Sequence, residues 1–326
     1  MNKNLYKIIG YIFVLSFVLI PGGVFAFEKT QLQLKDQDKN NDFVVEPGKT
    51  EIFLNKGETV TKNIIVTNRI NKPINFKLST EDLVGTNDSS TPIVLMGDDV
   101  SPYSLKNFIK PEITEFTLNF GERITIPVTV SVPIDAEPRG YYGALIVSNE
   151  PDKQIDENSS ETQGKTRIIS RIGSLFLVKI NGEGREEGKL QSFKIAGPEK
   201  SFYEKKPESF EIAYENTGNV HLVPYGKITV RNLLGMGVAE VPVDAYFVLP
   251  NSTRYREVLW SSNAFLFGHY TANLSFYKGY GNEYQDAKIS FWVLPWKIVV
   301  PVFIGLIIFV TLIYYILTRF ELKKKK

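Results

Sequence analysis

The chain has 326 residues, 43% hydrophobic and 23% charged, a folded-protein composition that excludes a disordered or collagen-like chain. It has no cysteine, which excludes disulfides, thiolate metal sites, iron–sulfur clusters and cysteine nucleophiles; two histidines leave little for a histidine-rich metal site. A formal net charge of +2 gives no nucleic-acid footprint.

At the start, Lys3 and Lys7 precede an apolar run from Ile8 to Ile20. Pro21, Gly22 and Gly23 break the run, and Val24-Phe25-Ala26 closes it with small residues at the positions a leader peptidase reads. This layout predicts a signal peptide over 1–26, since 13 apolar residues are too few to span a bilayer.

Between Phe27 and Trp296 alternation dominates and no stretch keeps a helical period. Thr61–Asn68 ends at the turn Asn71-Lys72-Pro73, and Ile74–Ser79 follows with period-two spacing. Arg123–Val130, Ala144–Val147 and Thr166–Ile180 also read as strands. Gly182–Gly188 is short, charged and glycine-rich, and marks a domain boundary. The pattern then restarts, with strands expected at Leu190–Ala196, Ser209–Glu215, Lys227–Arg231, Val243–Leu249, Tyr255–Trp260, Tyr270–Tyr277 and Lys288–Leu294. Short strands at this spacing predict an all-β protein of two tandem immunoglobulin-like β-sandwiches, over 27–182 and 189–296, joined by 183–188.

The two parts read as distant repeats. Gly140-Tyr141-Tyr142-Gly143-Ala144-Leu145 parallels Gly268-His269-Tyr270-Thr271-Ala272-Asn273-Leu274, which predicts corner tyrosines at Tyr142 and Tyr270 with Ala144 and Ala272 pointing inward. Ile64–Asn68 parallels Glu211–Asn216; each ends in an asparagine ahead of a turn. Two stretches are long for sandwich turns. Within 85–110, Ser101–Lys110 predicts a short helix with Ser101 as cap and Pro102 in the first position. The other, 149–165, is polar.

Ile298–Leu317 contains no charge in 20 residues, about 30 Å as a helix, which matches the hydrocarbon thickness of a bilayer. This predicts a transmembrane helix over 297–318, with Trp292 and Trp296 at one interface and Tyr314 and Tyr315 near the other. Arg319, Lys323, Lys324, Lys325 and Lys326 follow and place the tail 319–326 on the cytoplasmic side. Setting aside the eight basic residues and one acidic residue outside 27–296 leaves 30 basic and 35 acidic residues, so the exported part is mildly acidic.

No catalytic constellation is legible. Ser275-Phe276-Tyr277-Lys278 spells Ser-x-x-Lys but lies in a strand-like run, and no acid or serine completes a triad with His221 or His269. Asp88, Asp98 and Asp99 do not fit a calcium-loop spacing. No cofactor motif is present.

The layout resembles the WxL-interacting proteins of Gram-positive bacteria. Val45-Glu46-Pro47-Gly48, Asn63–Asn68, Gly140–Ser148 and Asn216-Thr217-Gly218-Asn219-Val220-His221 carry the resemblance. It implies a first domain directed at peptidoglycan and a second directed at host or partner surface proteins. The two-sandwich plan also looks like that of periplasmic pilus chaperones, which are soluble. The expected function is a cell-membrane, single-pass, non-enzymatic surface binding or scaffold protein, with the sandwiches extracytoplasmic and the C-terminus cytoplasmic. The alternative is a membrane-anchored assembly factor or chaperone for exported proteins, with the inter-domain cleft as its site.

Overall fold

The structure, a computed structural model, describes residues 29–32, 42–150, 169–200, 202–261 and 265–319. The expected signal peptide, nearly all of the 149–165 stretch, and the topology residues Lys3, Lys7 and Lys323 to Lys326 lie outside these residues.

Among the described residues the first half holds eleven strands: β1 (Lys29–Gln31), β2 (Phe43–Glu46), β3 (Lys49–Leu54), β4 (Thr59–Asn68), β5 (Ile74–Gly85), β6 (Ile93–Leu95), β7 (Ile109–Pro111), β8 (Glu115–Leu118), β9 (Glu122–Ser131), β10 (Gly140–Glu150) and β11 (Arg171–Ile180). One sheet runs β1-β9-β4-β2, with β7 also on β9. The facing sheet runs β3-β11-β10-β5-β6, with β8 also on β5. Period two decides what fills the space between them: Ile124, Ile126, Val128 and Val130 of β9 point inward and meet Phe76, Leu145 and Phe176 from across the sandwich.

The second half holds β12 (Gly188–Ile195), β13 (Phe202–Tyr203), β14 (Ser209–Asn216), β15 (Tyr225–Asn232), β16 (Gly237–Val243), β17 (Ser252–Leu259), β18 (Gly268–Tyr277) and β19 (Tyr284–Val293). Its sheets run β12-β14-β17 and β13-β19-β18-β15-β16 around a second core that includes Phe210, Ile212, Ile228, Leu274 and Phe276. The helix α1 (Trp296–Arg319) follows β19 almost directly, and none of its residues is buried against protein.

The two halves repeat one immunoglobulin-like plan. β2-β4-β9 corresponds to β12-β14-β17, and β3-β11-β10-β5 to β13-β19-β18-β15; in each half the short strand β3 or β13 runs parallel to the last strand. Asn68 and Asn216 close equivalent strands with one hydrogen-bond set. The Asn68 amide donates to the carbonyls of Lys72 and Leu118, both at 2.9 Å, and its Oδ1 accepts the N–H of Ile70 at 2.9 Å. The Asn216 amide donates to Val220 and Val248 at 2.8 Å, and its Oδ1 accepts Gly218 N–H at 2.9 Å.

Candidate functional site

The strand β10 is apolar on both faces, and the two faces do different things. Tyr141, Leu145 and Val147 enter the first core. Tyr142, Ala144 and Ile146 turn outward and are buried with Leu83, Leu177 and Leu249, the last of which comes from the second half. This corrects the sequence expectation by one residue. Tyr142 is no corner tyrosine: its hydroxyl leaves the first sandwich, accepts the main-chain N–H of His221 at 2.5 Å and lies 3.3 Å from His221 Nδ1. Ala144 likewise faces the junction and not the sandwich interior. Tyr141 holds the local position, with its hydroxyl 3.4 Å from the carbonyl of Glu137. In the second half, Tyr270 enters the core and its hydroxyl donates to the Phe267 carbonyl at 3.2 Å.

More bonds cross the junction. Gly140 N–H donates to Asn219 O at 2.9 Å, Asn251 Nδ2 to the Tyr103 hydroxyl at 3.0 Å, and Thr253 N–H to Asn87 Oδ1 at 2.8 Å. Burial holds the Tyr142 hydroxyl well above its ordinary pKa, so it stays protonated. Burial also pulls His221 down to about 4, and the nearby charges Glu51, Lys179, Lys49 and Glu186 act in opposing directions on it. The pair is therefore neutral at physiological pH and sealed from any substrate. At this contact the two halves are packed against each other.

The 85–110 stretch folds as turns around one buried carboxylate, not as the helix expected at Ser101–Lys110. Asp82 Oδ2 accepts the N–H of Ser101 at 3.0 Å, and its Oδ1 accepts those of Leu105 at 3.1 Å and Lys106 at 3.0 Å. With the N–H groups of Ser101, Leu105 and Lys106 turned to one carboxylate, Leu105 and Lys106 have none left for the carbonyls four residues back, and the helical ladder cannot form. Leu105 is thereby driven into the first core.

Trp292 sits near the end of β19, stacked edge-on with His269 at 5.1 Å, and Trp296 opens α1. Tyr314, Tyr315 and Arg319 lie in the last turns of α1, with the Arg319 guanidinium 5.8 Å from the Tyr315 ring. An 18-residue stretch of the helix has a mean hydropathy of 2.6, sufficient in length and composition to cross a membrane.

The two halves differ at one sheet edge. In the first, the outer side of β9 is occupied: β1 pairs antiparallel with it at Glu122–Ile124, and β7 does so at Val128–Val130. In the second half, the equivalent strand β17 pairs with β14 alone among the described residues. The fourth-strand position of an immunoglobulin-like sheet is filled in one repeat and bare in the other.

Beside this edge runs a groove of about 550 Å³ between β16 and β17, lined by Val238, Val241, Arg256, Val258 and Trp260 among others. Trp260 Nε1 is buried without a hydrogen-bond partner, as is the Tyr246 hydroxyl, which burial pushes above its ordinary range. Arg254 and Arg256 occupy the core-facing register of β17 beside Ser252 and Val258, and their guanidinium groups lie over Phe247 at 5.6 Å and Tyr246 at 5.9 Å. Burial, then repulsion from Arg256, lowers the Arg254 pKa. The other rim is less suited to pairing. β16 carries Pro242, which has no N–H to give, and its register with β15 shifts at Val230/Arg231. Sequence reading missed the bare edge. The available signal was arginine at two consecutive inward positions of an alternating strand, a device of edge strands.

No family model and no curated protein matches the chain. Among solved structures it is similar to the class 5 fimbriae chaperone CfaA, at 15% identity over 78% of this chain and 100% of that one, with a TM-score of 0.37. A chaperone–tip adhesin complex of CFA/I fimbriae gives 13% identity over 77% and 98%, with a TM-score of 0.38. The E. coli chaperone DraB gives 12% over 77% and 97%, with a TM-score of 0.35. The likeness is one of all-β build.

Proposed function

We propose that the chain is a non-enzymatic binding protein, tethered by α1 with its sandwiches on the extracytoplasmic side, that receives an extended segment of an exported polypeptide along β17. One observation carries this reading: among the described residues no strand pairs with the outer side of β17, where Asn87 holds the Thr253 N–H, while its counterpart beside β9 is filled by β1 and β7. An edge strand offers unpaired main-chain N–H and C=O groups, and a peptide that pairs with them satisfies both chains. Antiparallel pairing follows the precedent of β1 and β7, and the eight residues of β17 set the length. The adjoining groove accepts side chains from one face of the added strand, with Val241, Val258 and Trp260 among its lining residues. Arg254 and Arg256 discourage indiscriminate edge pairing. Such a mode suits an assembly factor for exported chains better than a wall scaffold, because main-chain pairing matches unfolded polypeptide and offers a glycan no equivalent ladder.

The test is selection of random twelve-residue peptides on the full chain in lipid nanodiscs, followed by hydrogen exchange. Selected peptides should protect the outward amides of Tyr255, Glu257 and Leu259, the Thr253 N–H being held by Asn87 already, and N-methylation of alternate peptide bonds should abolish binding. Protection confined to other strands, or binding indifferent to N-methylation, overturns the reading.

A further inference from the structure

Among the described residues, the strand registers of the second half, up to Trp296, place ten of its twelve exposed large apolar or aromatic side chains at one end. Val293 pairs with Gly268 and Trp292 with both His269 and Phe202, so the ends of β19 and β13 and the start of β18 lie together at the root of α1. Asn232 pairs with Tyr270, which brings the β15–β16 turn to the same end. That turn presents Leu233 and Leu234, 76% and 80% exposed, beside exposed Met236. The segment entering β18 adds exposed Phe265 and Phe267, and β17 ends at exposed Leu259. Phe202, Trp292, Leu294 and Trp296 complete the set around the root. At the opposite end, the β18–β19 turn reads Lys278-Gly279-Tyr280-Gly281-Asn282-Glu283 and is polar.

No loop separates this apolar end from α1. Leu294 N–H donates to Tyr203 O at 2.8 Å, Trp296 N–H donates to Leu294 O at 2.8 Å, and Lys297 Nζ pairs with Glu204 at 2.8 Å across the first turn. The helix root is bonded to the sandwich, so whatever receives α1 lies directly against these side chains.

We infer that this end of the second sandwich is a bilayer-docking surface, with Leu233, Leu234, Phe265 and Phe267 entering the headgroup–acyl boundary and Trp292 and Trp296 at headgroup depth. The inference rests on reading α1 as a span; continuity of apolar surface from α1 onto the sandwich identifies lipid as the occupant. An exposed apolar patch of this kind marks a contact surface, and aromatics at the entry of a span occupy the interface. A groove of about 920 Å³ at the root is lined by Lys200, Lys205, Lys206 and Lys297 but also by Glu204, Glu208 and Glu257. The charges nearly cancel, so apolar contact and not anionic-lipid attraction holds the surface down. Docking fixes the height and tilt of β17 above the membrane.

The natural chain has no cysteine, so single-cysteine variants report cleanly. The full chain is reconstituted in phosphatidylcholine vesicles, with an environment-sensitive fluorophore at L234C, F265C, V310C or E283C and doxyl lipids as quenchers. Labels at L234C and F265C should shift to the blue and lose most of their emission to a shallow doxyl quencher. V310C should respond to a deep quencher, and E283C to neither. The L234C signal should survive high salt without anionic lipid. If V310C is quenched and L234C and F265C are not, α1 spans but the docking surface is refuted. If V310C is unquenched, the span itself fails. A blue shift at L234C without lipid quenching means that a second copy covers this end, which also overturns the inference.

Discussion

The hydroxyl of Tyr142 accepts the main-chain N–H of His221, 79 residues away and in the other sandwich, at 2.5 Å. Both side chains are buried, and the bond stands beside the apolar contact of Ala144 and Ile146 with Leu249. A hydrogen bond here links two folding units that share no sheet. Tyr142→Phe keeps the ring and strands a buried N–H, a loss of about 1–3 kcal/mol. Tyr141→Phe removes only a 3.4 Å contact with a local carbonyl and should cost less. Urea unfolding of the two variants checks this. Equal losses mean that Tyr142 acts as no more than a core side chain.

The same contact predicts an acid response. His221 titrates near 4 in the folded chain, against an ordinary value of 6.5. Between these values the unfolded chain binds a proton that the folded one does not, so stability falls as pH drops from 6.5 toward 4. The full span amounts to about 3 kcal/mol, reached only near the lower value. Glu51 and Glu186 raise the His221 value while Lys179 and Lys49 lower it, and because carboxylates in general take up protons below about pH 5, the slope is best read above that. His221→Gln should flatten the profile there; an unchanged slope assigns the acid response to other groups.

What was legible in the sequence follows from how local each signal is. The inward set Ile124, Ile126, Val128 and Val130 is read directly from period two, and the paired asparagines are read from their place before turns. Tyr142 was misplaced because Gly140-Tyr141-Tyr142-Gly143 opens a strand buried on both faces, where alternation carries no phase; a slip of one residue exchanges core and junction. Asp82 sits in Glu81-Asp82, which reads as solvated acid until the turns at Ser101 and Leu105 fold onto it. That β17 is bare is a property of the neighbour it lacks, and no residue within the strand states it outright.

Asn68 and Asn216 should both prove costly to lose, each in its own half, and Asn68 the more so. Asn68→Ala strands the Ile70 N–H and takes the donor from the Leu118 carbonyl, about 2–3 kcal/mol, whereas Asn216→Ala strands the Val220 carbonyl alone, because Leu222 N–H still reaches Val248 O and Gly218 N–H still reaches Glu187 O, about 1–2 kcal/mol. Aspartate keeps the acceptor but loses both donated bonds, so N68D and N216D should come close to the alanine values. Thermal or chemical unfolding decides. Aspartate variants as stable as the natural chain locate the role in the accepted Ile70 or Gly218 bond alone.

Gly85 tests the closeness of the junction from the other side. A Cβ added there would stand 2.3 Å from Ser252 Oγ and 2.6 Å from Ser252 Cβ, with Leu249 Cβ at 3.0 Å. Its backbone is not in the left-handed region, so the clash and not strain decides. Gly85→Ala should therefore cost about 1–3 kcal/mol by forcing the halves apart. Ser252→Gly alone loses the 2.7 Å bond to Leu249 O and should also destabilise. Combined, the two substitutions remove the clashing atoms, and the double variant should be more stable than the sum of the single losses by about 1 kcal/mol or more. Strict additivity in that cycle would show that the halves are not held at this separation in solution.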